Sequence, residues 1–289
     1  MFPIRAASMT AAPYRTRGGR PDAISSPTMR LPLFQVDAFA SRLFTGNPAA
    51  VVVMPEFADD ATLRAIAAEN NLAETAFLVI ADGRYRLRWF TPVLEVPLCG
   101  HATLATAAVV MEVLEPGRGE VAFDTASGAL TVTRDGDAYR MDFPTRPGRV
   151  IDAPAGLAEA LGATPREVVD DRFNFIAVFD DADTVRRLQP DMAAIARLPR
   201  GGVVVTAAGD APYDITSRYF APGKGVPEDP VTGGAHCGLL PYWAPRLGRS
   251  TLRCWQASTR GGEMTCTLRG DRVELAGRCV FYLRGEIEL

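Results

Sequence analysis

Along the chain, the spacing of hydrophobic and polar residues alternates between the spacing typical of helices and the spacing typical of strands. Apolar residues recur at helical spacing over 59–70, where Asp59 or Asp60 can cap the first turn, and residues 102–114 and a segment opening near Ala235 are apolar nearly all round, as buried helices are. β-rich runs bounded by turn residues predict strands at 31–39, 49–54, 75–80, 85–90, 130–133, 139–143, 173–179, 203–207 and 214–220, with four more between 252 and 288. This alternation predicts an α/β fold.

One pentad occurs in both halves of the chain. RWFTP at 88–92 matches RYFAP at 218–222, and each copy is followed by a glycine turn and an apolar helix, with about three extra residues in the second copy. Duplication of an α/β unit would bury one helix in each half and leave a cleft between the halves, where small-molecule sites concentrate. We therefore expect two pseudo-symmetric lobes at 31–124 and 125–277, with a closing strand at 278–289 that can return to the N-terminal lobe.

The first 30 residues differ in composition from the rest. They carry five arginines and one acid among scattered Pro, Ser and Gly, with no apolar stretch long enough for a signal peptide. We expect residues 1–30 to be a disordered or extended tail. A functional basic arm or a transit peptide is the alternative.

The composition and net charge of the chain exclude several classes of binding partner. The 289 residues are 47% hydrophobic and 22% charged with a net charge of −3, so the chain offers no electrostatic reason to bind nucleic acid or an anionic membrane. No apolar run approaches the roughly 20 residues of a membrane span. The five cysteines include no C-x-x-C pair, which indicates a reducing compartment and predicts a cytoplasmic protein.

Several enzyme classes lack the residues that they need. The single lysine, Lys224, is followed by Gly225 and not by Ser or Thr, which excludes a P-loop, and one exposed-looking lysine is a poor candidate for pyridoxal phosphate. Neither a G-x-S-x-G nucleophile elbow nor a G-x-G-x-x-G after a strand occurs. Two histidines, His101 and His236, give metal catalysis little to build on, so we expect no metal.

The first half carries candidate chemistry at two segments. Glu74 lies at a helix-to-strand junction among apolar neighbours, and a carboxyl group in apolar surroundings can move protons near neutral pH. Gly100, His101 and Ala102 open a helix whose N-terminal N–H groups can hold a carboxylate or phosphate, with His101 as donor or proton shuttle. The alternatives are a solvent-facing Glu74, a packed His101 and, for Cys99, either a catalytic thiol or an inert buried one.

The second half contains a similar arrangement. Asp229 precedes Pro230, and Thr232, Gly233 and Gly234 form a glycine turn that starts a helix. Two helix N-termini that face each other across a cleft would clamp one small anion between them. From the residues alone, the chain is predicted to be a two-lobed α/β enzyme that handles a small anion by proton transfer.

At these segments the sequence resembles the PhzF, or phenazine biosynthesis-like, family. The motifs that carry the resemblance run from about residue 31 to the C-terminus: VDAF (36–39), GNPAAV (46–51), NLAETAF (71–77), RWFTP (88–92), EVPLCGHAT (95–103), EDPVTG (228–233) and QASTRGG (256–262). The resemblance implies the diaminopimelate-epimerase fold, in which each of two lobes is a curved mixed sheet around a central helix and the active site lies between them. It also implies a homodimer that uses no metal or organic cofactor.

The resemblance further implies an activity, the isomerisation of trans-2,3-dihydro-3-hydroxyanthranilate in a biosynthetic process. A glutamate at the position of Glu74 would take a proton from the ring carbon that bears the hydroxyl and return it elsewhere on the ring. His101 and Asp229 would complete the catalytic set. The substrate would be held by backbone groups at Gly100, Ala102, Thr232, Gly233 and Gly234.

Gly234 departs from the family pattern, which usually has Ser after the Thr-Gly of this loop. A hydroxyl donor to the substrate is lost there, which leaves the substrate open. The runner-up is a two-cysteine epimerase or racemase of an amino acid with Cys99 as one thiol, although Asp229 lies in the neighbourhood of the second. A non-catalytic small-molecule binding protein is the third hypothesis, and the presence of Glu74 and His101 together with Asp229 favours catalysis over it.

Overall fold

The structure is a computed structural model that describes residues 29–289. Its strands are β1 (Arg30–Ala38), β2 (Asn47–Met54), β3 (Glu74–Ala81), β4 (Arg84–Phe90), β5 (Glu95–Val96), β6 (Glu120–Thr125), β7 (Gly128–Asp135), β8 (Ala138–Pro144), β9 (Arg149–Ile151), β10 (Glu167–Asp170), β11 (Phe175–Val178), β12 (Val203–Ala208), β13 (Ile215–Ala221), β14 (Val226–Glu228), β15 (Thr251–Gln256), β16 (Gly262–Arg269), β17 (Arg272–Gly277) and β18 (Cys279–Glu288). Its helices are α1 (Asp60–Asn70), α2 (Gly100–Val109), α3 (Leu157–Leu161), α4 (Ala182–Arg187), α5 (Met192–Ala196) and α6 (Gly233–Leu247).

The strands form one continuous mixed sheet whose two halves repeat each other. The first half pairs in the order β1-β2-β3-β4-β6-β7-β8, in which β2–β3 and β4–β6 are parallel and the other pairs antiparallel. The second half, β10-β11-β12-β13-β15-β16-β17, has the same order and the same two parallel pairs. An antiparallel pairing of β8 with β17 joins the halves. The predicted α/β fold with two pseudo-symmetric lobes is therefore confirmed.

Strand pairing fixes the two ends of the described part of the chain and the joint between the lobes. β18 lies antiparallel to β1 at the outer edge of the first half, and β9 occupies the corresponding edge of the second half on β10. Because β7 and β8 extend the first half through β6, we propose a lobe boundary after Pro144 in place of the expected one between 124 and 125. Most of the expected tail, residues 1–28, lies outside the described residues, whereas Met29 pairs with Leu289 and Arg30 begins β1.

A buried helix occupies the centre of each lobe. α2 contacts β1, β2, β3, β7 and β8, α6 contacts β15, β16 and β17, and the two helices contact each other. Every residue of α2 after Gly100 is buried, which explains why this segment is apolar nearly all round. The predicted helix at 102–114 is α2 followed by a π-helical segment, Val110–Leu114. Side chains around both helices form one core that runs through both lobes.

Shorter helices cover the outer faces of the sheet. α1 buries Leu63, Ile66 and Ala67 against the first lobe, as their spacing predicts, and Asp59 caps it by accepting the N–H groups of Ala61 and Thr62. Helices α3, α4 and α5 cover the second lobe with a core of their own. Within residues 29–289, no helix has the length and apolar character needed to cross a membrane.

Candidate active site

The two central helices begin at equivalent places in the two lobes. Gly100 opens α2 and Gly233 opens α6, and each follows an extended residue, Cys99 or Thr232, whose side chain caps none of the helix N–H groups. Backbone N–H groups in the first turn of such a helix are available to an anion and carry the positive end of the helix dipole. Both helix starts open into one cleft with a volume of about 350 Å³.

The cleft brings together most of the residues that the sequence singled out. Its lining includes Glu74, Gly100, His101, Asp229, Thr232, Gly233 and Gly234. Ala102 does not line it, because its side chain is fully buried inside α2. Residues from both halves of the chain therefore face the same space.

An imidazole ring connects Glu74 with Cys99. Glu74 is the first residue of β3, and its Oε2 lies 3.2 Å from Nε2 of His101. The other ring nitrogen, Nδ1, lies 3.6 Å from Cys99 Sγ. His101 is almost fully buried, whereas the Glu74 side chain is 17% exposed, on the side of the cleft. The ring is held between a carboxyl group that a ligand can reach and a buried thiol.

The pKa values of His101 and Cys99 are shifted by burial and by the charges of neighbouring groups. Burial disfavours the imidazolium of His101, but the charges of Cys99 and Glu74 outweigh burial, and the pKa of His101 is raised well above its ordinary value. Burial raises the pKa of Cys99, so that its thiol keeps its proton near neutral pH. Cys99 favours the imidazolium only as a thiolate, so the protonation of His101 is linked to that of Cys99, and beside a neutral thiol the charge that favours the imidazolium is that of Glu74.

Asp229 is held on the opposite side of the cleft by a network of hydrogen bonds. Asn47 Nδ2 donates to its Oδ1 at 2.7 Å, and Thr232 Oγ1 donates to its Oδ2 at 2.5 Å. Gln256 fixes the same loop, since its Nε2 donates to the Asp229 carbonyl and its Oε1 accepts the N–H of Thr232. Burial raises the pKa of Asp229 to about 6, against the opposing influence of His101. Asp229 can therefore exchange a proton near neutral pH.

Three side chains in the cleft could together hold a metal ion. Glu74, Cys99 and His101 each offer a ligand atom, and these atoms lie within 4.8 Å of one another. Three protein ligands are the number that catalytic zinc sites use. Glu74 and Cys99, however, lie against different nitrogens of the same ring, an arrangement that also suits transfer of a proton through His101.

The sequence analysis missed three polar residues of the cleft: Arg146, Tyr219 and Lys224. Lys224 is not an isolated surface lysine, because its Nζ donates to Tyr219 Oη at 2.9 Å and to Asn174 Oδ1 at 3.0 Å. It lies in the extra residues that the second copy of the repeat carries between Pro222 and Glu228, and this insertion was a signal that could have identified it. Arg146 follows β8 in a stretch with no comparable signal.

The remaining histidine has a structural position. His236 is fully buried in α6, where its Nδ1 donates to the Thr232 carbonyl at 2.9 Å, and burial lowers its pKa to about 4. The position equivalent to Cys99 in the second lobe is Thr232, so the two central helices do not present a pair of facing thiols at their starts. Cys237 lies further along α6, and burial raises its pKa to about 11.

Comparison with known proteins points to one family. Residues 36–285 match PhzC-PhzF, the phenazine biosynthesis-like proteins. The chain is 49% identical over 263 residues to an uncharacterized isomerase of Pseudomonas aeruginosa, covering 90% of this chain and 100% of that protein. The crystal structure of a PhzF-family protein from Enterococcus faecalis is 42% identical, with a TM-score of 0.87 over 90% of this chain and 100% of that one.

A more distant structure shares the fold alone. A predicted epimerase from Pseudomonas aeruginosa matches with a TM-score of 0.66 at 23% identity, over 89% of this chain and 99% of that one. Together with the sheet pairing and the central helices, these likenesses confirm the two-lobed, epimerase-like architecture that the resemblance implied.

Proposed function

The chain belongs to the phenazine biosynthesis-like (PhzC-PhzF) family, and from this membership we propose that it is an isomerase that moves a proton within a small cyclic or aromatic-type carboxylic acid. Glu74 is the proposed acid and base. The observation that carries the proposal is the position of Glu74, whose carboxyl group faces the cleft 3.2 Å from the buried imidazole of His101. The name of the 49% identical relative, an isomerase, supports the class of reaction.

The substrate carboxylate is proposed to bind between the two helix starts. The N–H groups at Gly100 and Gly233 carry the positive ends of two helix dipoles and would orient the anion. Gly234 leaves this end of α6 without a side chain. Held in this way, the ring of the substrate would face Glu74.

The proton transfer then takes two steps on one side of the ring. The Glu74 carboxylate takes a proton from a ring carbon, and the electron pair of the broken C–H bond moves into the conjugated system of the substrate. The resulting carboxylic acid of Glu74, which is 17% exposed and can exchange its proton with water, returns a proton to a different carbon, so that the product is an isomer and the enzyme is unchanged. His101 keeps its own proton and stabilises the charge that develops near Glu74.

Asp229 is proposed to bind the polar substituent of the substrate. With a pKa of about 6 it can present either a protonated carboxyl group that donates or a carboxylate that accepts. A hydroxyl group or an amino group beside the substrate carboxylate, as in trans-2,3-dihydro-3-hydroxyanthranilate, would suit such a group. The homodimer, the cytoplasmic location and the independence from metals and organic cofactors stay predictions of the sequence.

Replacement of Glu74 tests the proposal. Glu74→Gln keeps shape and hydrogen bonding but cannot accept the proton, so turnover should fall by about 100- to 10,000-fold while substrate binding stays near normal. Candidate cyclic acids are screened by following deuterium incorporation into the product in heavy water. Glu69→Gln, a change at an exposed glutamate of α1, is the matched control and should keep full turnover. Near-normal turnover by Glu74→Gln would remove Glu74 from the mechanism and direct attention to Asp229 or His101.

A further inference from the structure

Two cationic side chains, Arg146 and Lys224, both contact Phe173 beside the cleft. The guanidinium group of Arg146 lies 4.2 Å from the centre of the Phe173 ring, and the Nζ of Lys224 lies 3.3 Å from the Phe173 carbonyl oxygen. Both cationic side chains also line the cleft that holds Glu74 and Asp229. Arg146 and Lys224 are therefore neighbours that face the same ligand space.

Neither cation is paired with an acid. Among residues 29–289, no carboxylate lies within 4.0 Å of Arg146 or Lys224. The buried Asp171 is near enough to influence Lys224, but its Oδ1 is occupied by the N–H groups of Phe173 and Asn174. Asp171 and, in the cleft itself, Asp229 lower the positive potential around Tyr219 and Lys224, but neither carboxylate makes an ion pair with Arg146 or Lys224, so both cations stay open to an anionic ligand.

The two cations differ in what they can still bind. The Nζ of Lys224 donates to three oxygen atoms, those of the Phe173 carbonyl, Asn174 and Tyr219. Because its donors are used in these contacts, Lys224 would attract a ligand mainly by its positive charge. Arg146 has five N–H donors, of which one makes a long contact of 3.5 Å with the Gly234 carbonyl. The remaining donors suit the forked recognition of a carboxylate or a phosphate.

Gly234 lies beside the guanidinium group of Arg146 at the start of α6. A Cβ atom at position 234 would lie 3.5 Å from Arg146 Nη1, at van der Waals contact, so any longer side chain there would compete with Arg146 for the same part of the cleft. The departure from Ser at this position therefore coincides with a guanidinium group that approaches the start of α6. A charged donor stands near the place where the usual hydroxyl donor is missing.

We infer that Arg146 and Lys224 form a second anion subsite, and that the substrate carries a second anionic group, a carboxylate or a phosphate, in addition to the carboxylate held by the helix starts. The inference rests on the proposed function, because it assigns the class of substrate for the same cleft. It identifies Arg146 and Lys224 as specificity-determining residues that discriminate a dianion from a monoanion.

Binding of simple aromatic acids tests the subsite without any turnover. Calorimetry compares benzoate with isophthalate, which adds a second carboxylate to the same ring, and with 3-phosphonobenzoate, which adds a phosphonate. The unmodified protein should bind at least one dianion about tenfold more tightly than benzoate, the scale of one charge-assisted hydrogen bond. Which dianion binds better distinguishes a carboxylate from a phosphate as the second group.

Three variants connect this preference to the two cations. Arg146→Gln and Lys224→Met should each reduce the preference for the dianion to about twofold or less and leave benzoate binding within about twofold, because only the second contact is lost. Arg149→Gln, at an exposed arginine three residues beyond Arg146, is the control and should keep the full preference. Equal melting temperatures among the variants show that each is folded.

The outcomes separate this inference from the proposed function. Absence of any preference for a dianion, absence of binding by both dianions, or a preference that survives both substitutions would overturn the second anion subsite. The same titrations on Glu74→Gln should give the unmodified preference, because Glu74 is not part of the subsite. A catalytically unimportant Glu74 would overturn the proton-transfer proposal and leave the binding result standing.

Discussion

Thr103 and His236 occupy equivalent positions in the two central helices, and each donates a hydrogen bond to the carbonyl of the residue that precedes its helix. Thr103 Oγ1 lies 2.5 Å from the Cys99 carbonyl oxygen, and His236 Nδ1 lies 2.9 Å from the Thr232 carbonyl oxygen. The hydroxyl group of Thr103 and the imidazole of His236 therefore make the same hydrogen bond at the starts of the two helices. Only the imidazole titrates, so the two lobes should respond differently to acid.

The pH dependence of stability should report on His236. Its pKa in the folded state is lowered to about 4 from an ordinary 6.5, so the unfolded chain binds this proton first as pH falls. The free energy of unfolding gained from a neutral His236 is fully present above about pH 6.5 and is lost as pH falls toward 4. Denaturant unfolding at pH 7 and pH 5 should show that His236→Asn loses roughly 2 kcal/mol less than the unmodified protein over this interval.

Thr103→Val is the control for this comparison. It removes the equivalent hydrogen bond without removing a titratable group, and it should lower the free energy of unfolding by about 1 kcal/mol at both pH values. An unchanged pH dependence in His236→Asn would mean that His236 takes up its proton in the folded state as readily as in the unfolded chain.

Elements that depend on local pattern were predictable from the sequence. The spacing of Leu63, Ile66 and Ala67 predicted α1, and its cap at Asp59 was one of two options. The repeated pentad predicted a duplicated unit, and in the structure its two arginines, Arg88 and Arg218, make the same ion pair, with Glu95 and Glu228. In each lobe this pair connects a strand to the short strand that leads into the central helix.

Features that depend on distant contacts were not predictable in the same way. β9 and β10 are three and four residues long and owe their place to pairing with each other and with β11, which no local pattern shows. In the cleft, a glycine turn and a carboxylate can be seen in the sequence, whereas the approach of Arg146 to Gly234 joins residues 88 positions apart. Asn47 and Asp229, separated by 182 positions, meet only because the two lobes close on each other.

Cys99→Ser distinguishes the proposed isomerase from a two-cysteine epimerase. If Cys99 only packs beside His101, a serine hydroxyl group can replace the thiol near Nδ1, and turnover should stay within about tenfold of normal. If Cys99 exchanges protons with the substrate, serine is too weak an acid and base at neutral pH, and turnover should be lost. A decrease of more than about a hundredfold, on a substrate that exchanges deuterium, would contradict the isomerase.

Binding of a carboxylate should weaken as pH rises through the pKa of Asp229. Near pH 5 Asp229 is mostly protonated, and above its pKa of about 6 it places a negative charge in the cleft that receives the anion. We expect the affinity for benzoate to fall several-fold, roughly 1 kcal/mol or less, between pH 5 and pH 7.5. Asp229→Asn should flatten this dependence, whereas Asp152→Asn, at an exposed site, should leave it unchanged. A steep profile in Asp229→Asn would assign the titration to another group in the cleft.

The two equivalent ion pairs should differ in their effect on stability. Arg218 and Glu228 are 9% and 18% exposed, and Arg218 also donates to the Leu188 carbonyl at 2.8 Å, whereas Arg88 and Glu95 are 24% and 36% exposed. Loss of one partner from a buried pair leaves an uncompensated charge, so Arg218→Met should lower the free energy of unfolding by about 3 kcal/mol or more. Arg88→Met removes a pair that water screens and should cost about 1 kcal/mol or less. Denaturant unfolding of both variants measures the difference, and equal losses would show that burial does not govern the strength of this repeated contact.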